Sequence, residues 1–384
     1  MPLKLAIVTA FPKDTDVIRG GVESVSYCLA IGLRDRSDIE IHIVAPSNGS
    51  EQGVDQQEGL WIHWVPTSNL PGFLDYWTIF RWRAQRIIKG INPDITHFQG
   101  LAGWVLGFSQ PYVLTIHGIA EKDILHKGGL FLRLRRYILA HVERHGRKQA
   151  PHIIAINPYV LTELGDQLKG VRWNIENPVE TEFFSVTGGE EGSRILYVGR
   201  VSALKNIEGL LRSFATVRAD NHSATLHIAG EAEASEYMER CVRLVKQLGI
   251  ESSVSFLGNL SRTALRSQLR QARCLVLVAK QENAPMVIAE AMAAGVPVVA
   301  SRICGIPYMV RDGETGFLVD PANTDEIANR LSFILDNPAV AIKMGQLAKT
   351  VAFNRFHVHT VAEKTIAVYE KILAEKNTRD APSE

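Results

Sequence analysis

The chain has few cysteines, no excess of either charge and no long apolar run, and each shortage closes off a class of function. Only four cysteines occur in 384 residues, Cys28, Cys241, Cys274 and Cys304, and no two form a Cys-x-x-Cys pair. They read as reduced packing residues, not as a disulfide framework. Lys and Arg total 42 against 41 for Asp and Glu, so the strong basic surplus expected of a nucleic-acid binder is missing. No run approaches the roughly 18 apolar residues that a spanning helix needs, and the opening Met1–Pro12 is interrupted too soon for a signal peptide. A cytoplasmic protein is expected. No Gly-x-Gly-x-x-Gly follows the first strand of either half, which disfavours a nicotinamide dehydrogenase.

What is present is the composition of a globular enzyme, 46 % hydrophobic and 22 % charged, on a chain long enough for two ordinary domains. The stretch Cys274–Ser301 is the most informative. Its apolar run Cys274–Ala279 suits a strand buried on both faces, Lys280–Ala284 a polar loop, and Pro285 the first position of a helix that stops at Gly295 and Pro297. Val296–Ala300 then restores the strand pattern, so the unit is a right-handed parallel crossover. Glu282 sits in the loop at the strand's carboxyl end and Glu290 in the second turn of the helix, where open α/β sheets bind ligands. The helix N-terminus between them offers free N–H groups to a phosphate.

A second element of this kind is Gly199–Asn206, after the strand Arg194–Val198 and before a helix that begins near Ile207. Arg200 and Lys205 stand five apart across that loop and can converge on one diphosphate, Arg as a fork and Lys as a point charge. In the first half, Leu3–Val8 reads as a strand and is followed by Gly20-Gly21 at the mouth of a helix. That pair serves either as a plain turn or as a close backbone approach to phosphate. Ile39–Ala45 and Leu60–Val65 are further strands, with an exposed loop expected between them to about Glu58. His97 and Gln99 end one strand and His117 ends another. These are positions for ligand contact or for a satisfied core residue. Leu70–Lys89 interleaves aromatics with Arg and Lys, and His126–Lys148 is basic and apolar by turns. Each fits a packed amphipathic helix or a membrane-surface face. His141 and His145 have the spacing of a zinc pair, but Glu143 lies off the His face and third ligands are lacking, so no metal is expected.

Glu282-x7-Glu290 followed by the rest of EAMAAGVPVVAS resembles the signature of the retaining GT-B glycosyltransferases of family 4, the glycosyl transferases group 1. Gly199-Arg200 through Lys205-Asn206, Thr115–Gly118, Asn177–Val179 and Asp312–Val319 are similar to the same family, so the resemblance spans nearly the whole chain. It departs at Asn283-Ala284-Pro285, where many members carry Phe-Gly. The resemblance implies an α/β fold of GT-B type, two facing Rossmann-like domains with parallel sheets and a central cleft. Residues 1–187 would form the acceptor-side domain, braced by a C-terminal helix at about 361–384, and residues 188–360 the donor domain, with a linker at Thr187–Ser193.

The resemblance further implies catalytic roles for Arg200 and Lys205 on the leaving diphosphate, for Glu282 on the sugar and for His117 facing it. It implies donor contacts from Gly20, Gly21, Glu290, Asn283, Met286 and Val287, and acceptor-side roles for His97 and Gln99. The donor would be a nucleoside diphosphate sugar, UDP before GDP. The acceptor would be a glycan or a lipid-linked glycan, with peripheral membrane contact through the basic aromatic helices and no nucleic acid or cofactor. A phosphorylase or epimerase on the same fold, or an inactive sugar-nucleotide binding module, remains open, because fold does not fix chemistry.

Overall fold

A computed structural model of the protein describes residues 2–16, 18, 20–47, 52–68, 70, 72–123, 132–187 and 192–380. Arg19, the first part of the basic stretch at 126–131, linker positions 188–191 and the tail 381–384 lie outside the described residues. The chain divides into two compact units, one of residues 1–13, 19–178 and 358–384, the other of residues 14–18 and 179–357.

The first unit is built on β1 (Leu3–Val8), β2 (Ile39–Ser47), β3 (Gly53–Gln57), β4 (Leu60–Pro66), β5 (Ile95–Gln99), β6 (Tyr112–Ile116), β7 (His152–Ala155) and β8 (Val171–Asn174). They form one sheet in the order β3-β4-β2-β1-β5-β6-β7-β8, parallel throughout except for the β3–β4 pair. The central strands are rich in apolar residues because helices cover both faces, and Leu5, Ile7, Ile43, Ile95 and Val113 are fully buried or close to it. The two strands that the sequence pattern does not announce, β3 and β8, are the two edges of this sheet. An edge strand needs no apolar run, and β3 is polar and mostly exposed. The stretch expected as a loop is therefore one arm of a hairpin, closed at Glu58 and Gly59, whose φ values of 51° and 79° are those of a tight type I′ turn.

Around this sheet the helices follow their apolar faces. The aromatic stretch forms a continuous helical run, Gly72–Asp75, a π turn Tyr76–Phe80 and Arg81–Ile91, with Trp77 and Phe80 buried and Trp82 at 61 % exposure. The helix Leu132–Gln149 holds Glu143 buried, where its carboxylate accepts from the backbone N–H groups of Ala102 at 2.9 Å and Gly103 at 3.1 Å. The His-x-Glu-x-His stretch thus serves as a cap for the short turn Ala102–Val105. Gly146 allows this approach, since a Cβ there would lie 2.0 Å from the Ala102 carbonyl oxygen. The C-terminal helix Val358–Asp380 packs Val361, Ala362, Ile366, Tyr369 and Ile372 into the core of this unit.

The second unit holds β9 (Arg194–Val198), β10 (Thr225–Ala229), β11 (Val254–Gly258), β12 (Cys274–Leu277), β13 (Val298–Ser301) and β14 (Gly316–Val319). They are ordered β11-β10-β9-β12-β13-β14, and every pairing is parallel. The chain enters this unit at Val179, whose N–H donates to the Phe356 carbonyl at 2.7 Å and which pairs with His357, so entry and exit segments are stitched together. The helix Pro338–Phe356, for which the sequence pattern supplies no clear stripe, relies on small residues. A Cβ at Gly345 would sit 2.0 Å from the Gly295 carbonyl oxygen. Such close packing hides the usual large-residue periodicity.

One buried polar chain ties the C-terminal helix to the first sheet. His97 contacts the Tyr369 hydroxyl through Nδ1 at 2.6 Å and the Thr115 hydroxyl through Nε2 at 2.6 Å. Removing the phenol leaves a buried ring nitrogen without its partner. Tyr369→Phe is expected to cost about 1–3 kcal/mol of unfolding free energy in urea titrations, and an unchanged midpoint would contradict this tether.

Candidate active site

β9 and β12 are neighbours running in the same direction, so their carboxyl ends open on one edge of the second sheet. The loops leaving them are joined by a backbone hydrogen bond from Lys280 N–H to the Leu204 carbonyl at 2.8 Å. That bond brings the two sequence signatures together: the Lys205 ammonium donates to Glu282 Oε1 in an ion pair, with both side chains about one-fifth exposed. Asn206, in the left-handed region at φ 59°, then turns the chain into the helix Ile207–Asp220, and its side-chain amide donates to the Pro321 carbonyl at 2.7 Å. Gly230 allows the β10 loop to lie against the β9 loop, since a Cβ would fall 2.0 Å from the Gly199 carbonyl oxygen.

Arg200 has an anchored backbone and an exposed head. Its carbonyl accepts from the Tyr197 hydroxyl at 2.8 Å, while the guanidinium is mostly exposed and lies 3.6 Å from Glu233. Lys205 and Glu282 are therefore in contact, whereas Arg200 is held by a different acid. The loop Gln281–Ala284 is partly exposed. Pro285 takes the N-cap position, one residue earlier than expected, and the helix is Met286–Ala293. Met286 and Val287 lie at its first turn, at the limit of burial.

Glu290 is almost wholly buried on that helix, and burial pushes its carboxyl up to about 7, against the pull of the nearby Arg262 guanidinium. Arg262 Nη2 is 3.9 Å from Glu290 Oε1, and its Nε donates to Glu180 Oε2 at 2.8 Å. These two partners were not singled out from the sequence, although a signal exists. Arg262 and Arg266 stand near the positive end of a helix, which disfavours cations unless acids answer them.

In the first unit, Gly20 caps the helix Gly21–Arg34 with φ −140°, a conformation open to any residue, and a Cβ on Gly20 or Gly21 would meet nothing within 4 Å. The fold itself does not demand glycine there. His117, directly after β6, pairs through Nε2 with Gln99 Oε1 at 2.9 Å and also engages the Asn177 side chain. Burial pushes His117 down to about 4 and His97 down to about 3, so both rings are neutral at pH 7. Gln99 is buried, and its Nε2 has no hydrogen-bond partner among the described residues. His97, read from the sequence as a candidate acceptor contact, is 1 % exposed with both ring nitrogens engaged by Tyr369 and Thr115. The structure makes it a tethering residue.

Glu290 gives a pH-dependent stability. Its folded-state value of about 7 lies above the ordinary 4.5, so the native state binds the extra proton between those values and the ionised group costs stability above pH 7. Glu290→Gln should raise the unfolding free energy at pH 8 by on the order of 2 kcal/mol, with the gain shrinking as pH falls toward 5. A pH-independent difference would contradict the assignment.

Two family models match the chain: glycosyltransferase family 4 over residues 19–183 and glycosyl transferases group 1 over residues 179–351. The MMP alpha-(1->4)-mannosyltransferase of Mycolicibacterium hassiacum is 28 % identical over 77 % of this chain and 75 % of its own. An uncharacterized glycosyltransferase of Methanocaldococcus jannaschii is 28 % identical over 96 % of this chain and 98 % of its own. Among solved structures, sucrose-phosphate synthase from Thermosynechococcus elongatus superposes with a TM-score of 0.82 at 18 % identity, covering 97 % of this chain and all of that one (100 %). HepE of Anabaena in complex with UDP-glucose superposes with a TM-score of 0.74 at 18 % identity, covering 96 % and 100 %. The fold is thus the GT-B fold, as the motifs implied, and the chain belongs to the glycosyl transferases group 1, family 4, enzymes that transfer glycosyl groups.

Proposed function

We propose that the protein is a retaining glycosyltransferase that moves a hexose-type sugar from a nucleoside diphosphate sugar, UDP before GDP, to the hydroxyl of a glycan or lipid-linked acceptor. The observation that carries this reading is the Lys205–Glu282 pair at the ends of β9 and β12. A cation held against an acid on a ligand-binding edge can exchange that acid for a diphosphate, which frees Glu282 to accept from sugar hydroxyls. HepE of Anabaena, similar in fold, binds UDP-glucose, which favours UDP. WaaG, also similar in fold, is involved in lipopolysaccharide biosynthesis, in keeping with a surface glycan as product.

In this reading the second unit serves the donor. Lys205 and Arg200 stabilise the charge that builds on the diphosphate, Glu290 accepts from the ribose hydroxyls, and Asn283, Met286 and Val287 line the sugar and nucleotide. The first unit serves the acceptor, with His117 orienting the transferred sugar as a neutral hydrogen-bonding ring, Gln99 offering its amide and the Gly20 or Gly21 amide supporting the diphosphate. The anomeric carbon–phosphate oxygen bond breaks and the acceptor oxygen bonds the same face of that carbon. The departing phosphate oxygen takes the acceptor's proton, so no further base is required. Lys205→Ala should lower kcat by about 10²–10³-fold, the usual loss for one charge-stabilising donor. Near-normal turnover would remove Lys205 from the diphosphate.

Peripheral membrane contact from the cytoplasmic face is part of the same proposal. Among the described residues no helix is long and apolar enough to cross a membrane. On the basic helix Leu132–Gln149, Leu134 and Tyr137 are 56 % and 71 % exposed beside Arg133 and Arg136. An apolar tip flanked by cations suits an anionic lipid surface. Leu134→Ser with Tyr137→Ser should weaken co-sedimentation with phosphatidylglycerol vesicles several-fold, and equal sedimentation would end this part of the proposal.

A further inference from the structure

We propose that Arg262 is a positioning residue of the donor site: bridging Glu180 and Glu290, it fixes the Glu290 carboxylate as the acceptor for a nucleoside's ribose hydroxyls. This rests on the reading of Glu290 as the ribose acid. Arg262 is the first residue of the helix Arg262–Gln271, after the Ser261 N-cap whose hydroxyl accepts from Ala264 N–H at 3.2 Å. The helix dipole places partial positive charge there, so an arginine at that point is unfavourable in isolation. Its neighbours supply what the helix does not. Nε donates to Glu180 Oε2 at 2.8 Å, and Arg266 Nη1 lies 3.9 Å from the same oxygen. Both guanidinium groups sit over the Phe183 ring, at 5.2 Å and 5.7 Å from its centroid.

The guanidinium is thereby held in one plane. One of its terminal nitrogens, Nη2, lies 3.9 Å from Glu290 Oε1, and the side chains of Arg262, Glu180 and Glu290 are all close to fully buried. Glu180 opposes this arrangement, because two carboxylates near one another disfavour joint ionisation. A planar cation with two separate hydrogen-bonding edges reconciles them, which a single ammonium cannot do. Without it, burial drives Glu290 to the neutral acid, which turns one acceptor oxygen into a donor and removes the geometry that two vicinal hydroxyls need. Glu182 acts on Glu180 from the adjoining segment, so the charged groups around the bridge include Arg262, Arg266, Glu180, Glu182 and Glu290 itself.

Calorimetric titration with UDP and with GDP tests this on the full chain. Arg262→Gln and Glu290→Gln are each expected to weaken the tighter nucleotide about 10-fold, as loss of a charge-assisted contact does. The double variant should bind no more weakly than Glu290→Gln alone, because Arg262 acts through that carboxylate. A purely structural arginine would give losses that multiply. Arg262→Lys keeps the charge should Arg262→Gln fail to fold, and it is expected to lose affinity several-fold in the wild-type background and not at all in the Glu290→Gln background. Wild-type affinity in the Arg262 variants, or multiplying losses, overturns the inference alone when Glu290→Gln itself binds weakly. Unchanged binding in Glu290→Gln, or no binding of either nucleotide to the wild type, overturns the ribose reading and the inference with it.

Discussion

The charge balance at the carboxyl ends of β9 and β12 constrains the rest of the second unit. A lysine and a glutamate 77 residues apart in sequence meet there because two parallel strands lie side by side and a backbone bond joins their exit loops. Two partly buried charges of opposite sign satisfy each other at a site that has given up much of its water. In the proposed reading the same desolvation makes the pair responsive to a ligand. A diphosphate brings more negative charge than one carboxylate, and sugar hydroxyls give the released carboxylate new donors. The backbone bond from Lys280 to the Leu204 carbonyl keeps the two loops together, and Gly230 packs the β10 loop against Gly199 beside them.

Glu290 illustrates the opposite solution. It lies deeper than Glu282, and its charge depends on a planar guanidinium shared with Glu180. The two acids of the Glu-x7-Glu pattern are therefore different groups: one is paired with a lysine and partly exposed, the other is buried and pushed up to about 7. In the first unit His97 and His117 follow a third pattern, in which burial removes charge and leaves neutral hydrogen-bonding rings.

Much of this was legible in the sequence, for reasons that also explain what was not. Strands covered on both faces tend to be apolar runs, so β9, β12 and β13 declared themselves, and β1, β2 and β5 showed enough apolar positions between their polar ones to be read as strands. The edge strands β3 and β8 carry no such obligation and left no run to read. The helix Pro338–Phe356 packs through alanines and a glycine, which blunt the contrast between its faces. Arg200, Lys205 and Glu282 stood out because they fall on loops at strand ends, and Glu290 because it stands in the second turn of the helix that follows. Glu180 and Arg262 did not, since the contact depends on folding the entry segment of the second unit against a helix 82 residues away. His97 shows the converse: its position at a strand's end suggested a ligand, but a tyrosine 272 residues later occupies it.

The proposed donor site depends on Lys205 exchanging a carboxylate for a diphosphate. A crystal structure of the protein with UDP and, separately, GDP tests this most directly. The expected result is a bound diphosphate within hydrogen-bonding distance of the Lys205 ammonium, the Lys205–Glu282 pair opened and the ribose hydroxyls on Glu290. A nucleotide bound with its diphosphate away from Lys205, and the ion pair intact beneath it, would contradict the account.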